Sequence, residues 1–372
     1  MFKKLDTIKL DNIKLDNIKL DNIVEVSNKC KKDTNPNKIN LLVGQLTNYK
    51  FNCIKNTENL QNISYKYLHS SGCPKFIEKS RKFIFNSDND FLGYQTLSGT
   101  GALWLSSQIL KLLNINNIYL PALSWPNHFK IFENYKTYNY LNGTNTFPNS
   151  DYFLNLEPSV FLFHSCCHNP SGIDYTKTQW DNICDYIDVG NHIVIFDNAY
   201  QGLASGNPEE DNYAIKLFAD RNIPMMVCTS NSKNLGLYNQ RLGSLFTNLK
   251  VENLDDHILQ IIRKTYSNPP AYGTYIMNNV DYDEWKRDCL KIVEILNNKK
   301  KKLDELLYHN WPGLINTKGL FYMVPLSKNQ IELLRDKYSI YLLDNGRMNI
   351  AGLEDDKMEY FANIINTEFY RD

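Results

Sequence analysis

The sequence predicts an α/β fold built on a mostly parallel sheet, from two observations. Asn117 to Leu120, Val160 to Phe163, Ile193 to Phe196 and Met225 to Cys228 are short apolar runs that read as buried strands, each ending in polar residues. Trp285, Cys289, Ile292, Val293, Leu296, Leu303, Leu306 and Leu307 recur at helical spacing and predict one long amphipathic helix. Strands alternating with helices give a parallel sheet. Ligands bind such sheets beyond the carboxyl ends of the strands, which is where the unusual residues of this chain cluster.

In chain order, the first element is a repeat. Ile8-Lys9-Leu10-Asp11-Asn12 recurs from Ile13 and again from Ile18. Three short copies cannot stack into a solenoid with a useful core, so residues 1–28 read as a low-complexity extension, with a partner-binding arm as the alternative. The alternation of strands and helices begins near Asn40. Residues 29–53 and 296–372 are expected to form a small domain around a large domain of residues 54–295. A helical pattern runs from Leu103 to Leu113, opened by Ser98-Gly99-Thr100-Gly101-Ala102.

Composition narrows the function. Lys+Arg and Asp+Glu both number 41, so no basic excess points to nucleic acid or an anionic membrane, and a small-molecule partner is expected. The eight cysteines are irregularly spaced and read as free thiols in a reducing compartment. No apolar run approaches the roughly 18 residues of a membrane span. The aspartates of the repeat argue against an organelle transit peptide, so a cytoplasmic protein is expected.

Four stretches carry chemistry. Small residues opening a helix leave backbone N–H groups free for an anion, so Ser98, Gly99 and Thr100 form a candidate phosphate cradle. Asp197 ends an apolar strand, with Tyr200 three residues on; a buried acid needs a partner, and a pyridinium nitrogen or a helix N-terminus would serve. In Ser230-Asn231-Ser232-Lys233 and on to Arg241, one lysine sits among hydroxyls and a fixed cation. A lysine forms an imine with an aldehyde cofactor while Ser230, Ser232 and Arg241 hold a phosphate, which suggests pyridoxal phosphate; a solvated polar loop is the alternative. His164 to Gly172 tempts toward a metal site, but adjacent Cys166 and Cys167 on a strand would face opposite ways, and no second ligand pair follows at zinc-like spacing. No metal is expected, and Asn169-Pro170 reads as a turn presenting an amide.

Together these stretches resemble the aspartate aminotransferases of the fold type I pyridoxal-phosphate enzymes, over about Asp33 to Asn366. The resemblance rests on Ser98 to Leu103, Ser124-Trp125-Pro126-Asn127-His128, His164 to Asp174, Phe196 to Gly206, the Lys233 run, Ser267-Asn268-Pro269-Pro270 and Tyr341 to Arg347. It implies that Lys233 bonds the cofactor and then carries a proton between it and the substrate carbon. Asp197, buttressed by His128, would keep the pyridine nitrogen protonated, Asn169 and Tyr200 would bond the ring oxygen, and Trp125 would stack on the ring. Ser98, Gly99, Thr100, Ser230, Ser232, Arg241 and the Tyr67 of a partner subunit would hold the phosphate. Arg347, with Gly44 against it, would take the substrate α-carboxylate, and Arg263 would reach the distal carboxylate from the partner.

The resemblance therefore implies a homodimer with shared active sites, acting on small amino acids and 2-oxo acids. It would convert L-aspartate and 2-oxoglutarate by a ping-pong reaction. An aromatic or kynurenine aminotransferase is the alternative within the same chemistry, and a catalytically silent dimeric homologue the alternative outside it. The chain departs from the family pattern in its N-terminal repeat, which replaces a proline-rich arm, and in shorter segments between Tyr67 and Ser98 and between His128 and His164. It also carries Asn231 for a phenylalanine and Asp344-Asn345 for Pro-Ser.

Overall fold

The structure, a computed structural model, describes residues 22–46, 49–54, 64, 66–85, 90–140, 153, 156–309 and 311–370. Its centre is a seven-stranded sheet in the order β2-β8-β7-β6-β5-β3-β4. The strands are β2 (Leu92–Leu97), β3 (Ile118–Pro121), β4 (Lys136–Tyr138), β5 (Val160–His164), β6 (Ile193–Asn198), β7 (Met225–Ser230) and β8 (Leu242–Thr247). Every neighbouring pair from β7 to β4 is parallel, and β8 alone runs the other way, antiparallel to both β2 and β7. All four apolar runs are strands, each extended by one to two residues at its carboxyl end. Those added residues are polar or proline, and two of them, Asp197 and Ser230, line the site cavity.

Helices cover both faces, which is why the central strands are apolar throughout: Phe161, Phe163 and Phe196 belong to one core, and Leu162, Ile195 and Met226 to another on the opposite side. Thr176 starts the helix Lys177–Val189 with a reciprocal capping pair to Gln179. Asp281 caps the long helix Tyr282–Leu306 by accepting from Glu284 N at 2.8 Å. Trp285, Cys289, Ile292 and Leu296 of that helix belong to the sheet's core, whereas Leu303 belongs to a further core with Trp311, Ile331, Ile340, Met348 and Phe361. This last core covers β1 (Ile39–Asn40), parallel to β10 (Ile340–Tyr341), and β9 (Phe321–Met323), antiparallel to β11 (Arg347–Asn349).

Two expectations change. The helix expected from Leu103 begins at Ser98, because the small polar residues are its first turn rather than a loop before it. Residues 22–28, assigned to the extension, belong to the helix Asn22–Lys32, whose Val26 and Cys30 pack on Leu42, Tyr341 and Leu343. The three repeats lie outside the described residues apart from Asn22.

Candidate active site

The carboxyl ends of β2, β3, β5, β6 and β7 lie on one edge of the sheet, and they deliver the candidate residues to a cavity of about 430 Å³. Ser98 follows β2 directly and takes a left-handed backbone (φ 63°). Its hydroxyl lies 2.9 Å from both Ser230 Oγ, at the end of β7, and Ser232 Oγ, two residues further on. Arg241, also left-handed (φ 49°), donates from Nη1 to Ser232 Oγ at 3.3 Å. The helix Ser98–Leu112 has no side-chain cap at its amino end, and its first residues Ser98, Gly99 and Thr100 line the cavity beside these hydroxyls and guanidinium. Gly99 fits closely here, since a Cβ would stand 3.1 Å from Ser230 Cβ and press on it.

Asp197 is buried at the end of β6 and lies 3.2 Å from His128 Nε2, whose Nδ1 is 2.8 Å from Ser124 Oγ. Burial pushes the Asp197 carboxyl up, but the His128 hydrogen bond and the charges around it prevail and hold it below the usual range. His164 Nε2 is 3.8 Å from the same carboxylate, and burial pushes this imidazole down to about 3, so it stays neutral. His128, His164 and Asp197 place ligand atoms within 4.8 Å of one another, but Asp197 faces the cavity and already holds His128.

Lys233 Nζ lies 5.0 Å over the Tyr200 ring. Burial lowers its affinity for a proton, with Arg241 and Arg347 acting in the same direction and Asp197 against them. The Tyr200 hydroxyl is pushed far up by burial and remains a neutral donor. Arg347, on β11, is buried; Nη2 donates to Leu42 O at 2.6 Å, Nη1 to Asn169 Oδ1 at 3.2 Å, and the guanidinium sits 4.6 Å over Phe321. Gly44 packs so closely on this ring that a Cβ would meet Phe321 Cζ at 2.5 Å. Trp125 completes the wall, edge-on to His128 at 5.3 Å.

The cavity thus brings together Gly44, Ser98, Gly99, Thr100, Trp125, Asn169, Asp197, Tyr200, Ser230, Ser232, Lys233, Arg241 and Arg347, with His128 behind Asp197. Tyr67 and Arg263 lie outside it: Tyr67 is 92% exposed, and Arg263 is exposed with Nη1 donating to Ser267 Oγ at 3.0 Å. Sequence reasoning missed Ile23, Val43, Tyr238 and Phe321, which also line the cavity. Val43 and Tyr238 are next to or within stretches already singled out. Phe321 reaches Arg347 only through the β9–β11 pairing, which nothing local announces. The expectation that Cys166 and Cys167 face apart fails, because β5 stops at His164, Cys167 is left-handed (φ 50°), and the two thiols hydrogen-bond each other. A larger cavity of about 780 Å³ lies at the amino edge of the sheet, lined by Asp90, Leu113, Asn191, Asn222 and Asn248, away from these groups.

Comparison with known proteins decides the family: residues 36–365 match the class I and II aminotransferases. The chain belongs to that family. The mitochondrial aspartate aminotransferase of Schizosaccharomyces pombe is 32% identical, over 92% of this chain and 87% of its own. The solved aspartate aminotransferase of Saccharomyces cerevisiae cytoplasm superposes with a TM-score of 0.89 at 30% identity, covering 96% of this chain and 99% of that one. A broad specificity aminotransferase from Leishmania mexicana gives 0.87 at 31% identity, covering 93% and 95%. This aminotransferase is accordingly a pyridoxal-phosphate-dependent enzyme with a fold type I architecture. The residues present fit that cofactor: hydroxyls, a guanidinium and an uncapped helix end suit a phosphate, a buried carboxylate suits a pyridine nitrogen, and a lysine of lowered proton affinity suits an aldehyde.

Proposed function

We propose that this enzyme transfers the amino group of L-aspartate to 2-oxoglutarate, giving oxaloacetate and L-glutamate in two half-reactions. The observation that carries the reading is the buried Arg347 guanidinium, held by Leu42 O, Asn169 and Phe321 in the same cavity as Lys233 and Asp197. Ser98, Gly99, Thr100, Ser230, Ser232 and Arg241 would hold the phosphate, joined by Tyr67 of a second copy. Trp125, Asn169 and Tyr200 would orient the ring. The bound cofactor supplies an electron sink for the charge left at the substrate carbon when its proton departs.

The chain's own groups do the rest. Arg347 grips the α-carboxylate with paired donors and so fixes the α-carbon near Lys233. Lys233 Nζ, whose burial favours the neutral amine, takes the α-proton and returns it on the other side of the exchange. Asp197 stays ionised and would keep a proton on the ring nitrogen of the bound cofactor, and His128 holds that carboxylate in place. Arg263 would bind the distal carboxylate across a homodimer interface, which accords with its exposure and its place outside the cavity of its own chain. A division into residues 29–53 with 296–372 and residues 54–295 draws support from the separate core around Leu303, Trp311 and Phe361, while Leu46, Phe51 and Cys53 pack in the core of the large sheet. A cytoplasmic location is supported by eight cysteines that are all unpaired; no helix among the described residues is long and apolar enough to cross a membrane.

A broader range that includes aromatic amino acids is the second reading, favoured by the likeness to the Leishmania mexicana enzyme. Arg263→Leu separates the two. A charge-assisted pair is worth about 1.5–3 kcal/mol and an unpaired carboxylate costs more, so kcat/KM for aspartate should fall by at least about a hundredfold. Turnover of phenylalanine should hold or rise. Equal losses for both substrates would remove Arg263 from the site and with it the group that would select a distal carboxylate.

A further inference from the structure

The first turn of the helix Asn22–Lys32 is tied to the turn that carries Arg347 by a contact the chemistry leaves unused. Asn22 Nδ2 donates to Asp344 Oδ2 at 2.8 Å, and Asp344 N donates back to Asn22 Oδ1 at 3.3 Å. The other carboxylate oxygen of Asp344 accepts from the guanidinium of Arg335, buried on the helix Lys328–Tyr338. Burial opposes the charge on Asp344, but Arg335 outweighs it and holds the carboxyl below its usual range. One ionised side chain therefore joins two helices to one turn. Only a carboxylate accepts on both oxygens, so a neutral amide in its place would set a donor against either Asn22 or Arg335.

That turn is tight. Gly346 takes a φ of 87° and donates to Leu343 O at 2.9 Å, while Arg347 N donates to Asn345 Oδ1 at 3.1 Å. A shift of Asp344 is thus passed to Arg347 three residues on. On the helix side Asn22 fixes its neighbour Ile23, which lines the cavity with Arg347 and Trp125. A side cavity of about 290 Å³ opens between the two elements, with Ile23, Trp125, Pro126 and Leu343 among its walls, so the helix start is not wedged in place by close packing there. Further along, the helix rests on the small cluster of Val26, Cys30, Leu42, Tyr341 and Leu343.

The geometry points to Asn22 and Asp344 as positioning residues, whose paired hydrogen bonds lock the start of the N-terminal helix to the Arg347 turn and so set Ile23 and Arg347 relative to each other at the substrate mouth. This role rests on the reading of the cavity as an amino-acid site. Neither side chain touches the cluster of groups around Lys233, so their loss acts on substrate binding rather than on proton transfer.

The test uses the holoenzyme with Asn22→Ala, Asp344→Asn, and the reversed pair Asn22→Asp with Asp344→Asn, which moves the carboxylate to the helix and the amide to the turn. Each single variant should raise KM for aspartate and 2-oxoglutarate by about five- to twentyfold, the scale of one lost hydrogen bond. Turnover number should stay within about twofold. Cofactor absorbance should be unchanged, and hydrogen exchange of the amides of residues 26–29, the first to donate within the helix, should quicken. The reversed pair should recover most of the KM. An unchanged KM in the single variants, a fall in kcat together with cofactor loss, or failure of the reversed pair to recover KM overturns the role. If the unaltered chain shows no transamination, the functional reading fails instead, and unchanged amide exchange in the variants would then overturn the lock independently.

Discussion

Arg347→Lys probes the carboxylate grip with the charge kept. Arg347 is 3% exposed, and its two terminal nitrogens already serve Leu42 O at 2.6 Å and Asn169 Oδ1 at 3.2 Å. A guanidinium has five donors in a rigid fork and binds the protein and a planar carboxylate at once, whereas an ammonium is a point charge with three. Lysine must therefore give up either one bond to the substrate or one of the protein acceptors. The lost charge-assisted bond is worth about 1.5–3 kcal/mol, and a buried acceptor left unmade costs about 1–3 kcal/mol more. With partial relaxation the total is roughly 3–5 kcal/mol, or two to almost four powers of ten in kcat/KM. Steady-state assay of oxaloacetate formation, with single-turnover absorbance of the bound cofactor, measures both halves. Most of the loss should fall on KM, because the carboxylate is gripped before and during the chemical step. The cofactor should be retained, since Arg347 is not part of the Ser98, Ser230 and Ser232 cluster. A kcat/KM within about fivefold of the unaltered enzyme, or release of the cofactor, would refute the placement of the α-carboxylate.

Three further outcomes are expected. Lys233→Ala should abolish transamination while the folded protein still binds the cofactor noncovalently, and near-normal turnover without added amine would remove Lys233 from its role. Deleting residues 1–21 should leave turnover within a few-fold and the melting temperature nearly unchanged; deletion through residue 28 also removes Val26, 1% exposed, and should cost about 1.5–3 kcal/mol in denaturant unfolding. Lys300, 1% exposed and donating to Thr317 O, is pushed by burial from 10.5 to about 8, a strain of roughly 3 kcal/mol at neutral pH. Between those two values the unfolded chain holds the proton and the folded one does not, so stability rises with pH there. Lys300→Met should accordingly be the more stable protein at pH 7, less the hydrogen bond lost at Thr317 O, and the advantage should shrink by pH 10; a pH-independent difference would contradict the assignment.

What the sequence disclosed follows the range over which its signals act. The central strands were legible because a parallel sheet covered on both faces demands continuous apolar runs such as Val160 to Phe163, and their shortness and β-branched and aromatic content favour strand over buried helix. Ser230, Ser232, Lys233 and Arg241 were legible because they are neighbours in the chain as well as in space. The start of the helix at Ser98 was hidden because periodicity sees only apolar residues, while its polar first turn is held by hydroxyl contacts to Ser230 and Ser232 across the sheet. The helix at Asn22 was masked by the repeat, whose composition continues into it, and the spacing of Val26 and Cys30 was the one local sign of a buried face.

Phe321 marks the limit. It carries no motif, yet it supports Arg347 from one side and excludes any side chain at Gly44 from the other. Its place is set by the antiparallel register that pairs Asn349 with Phe321 and Arg347 with Met323. A one-residue slip there would turn both side chains to the opposite face. The requirement for glycine at Gly44 is thus a consequence of strand register more than 270 residues away in the sequence. Where a site is assembled by pairing rather than by sequence neighbourhood, the residue that looks conspicuous in the chain is the one that yields space, and the residue that demands the space is an ordinary core aromatic.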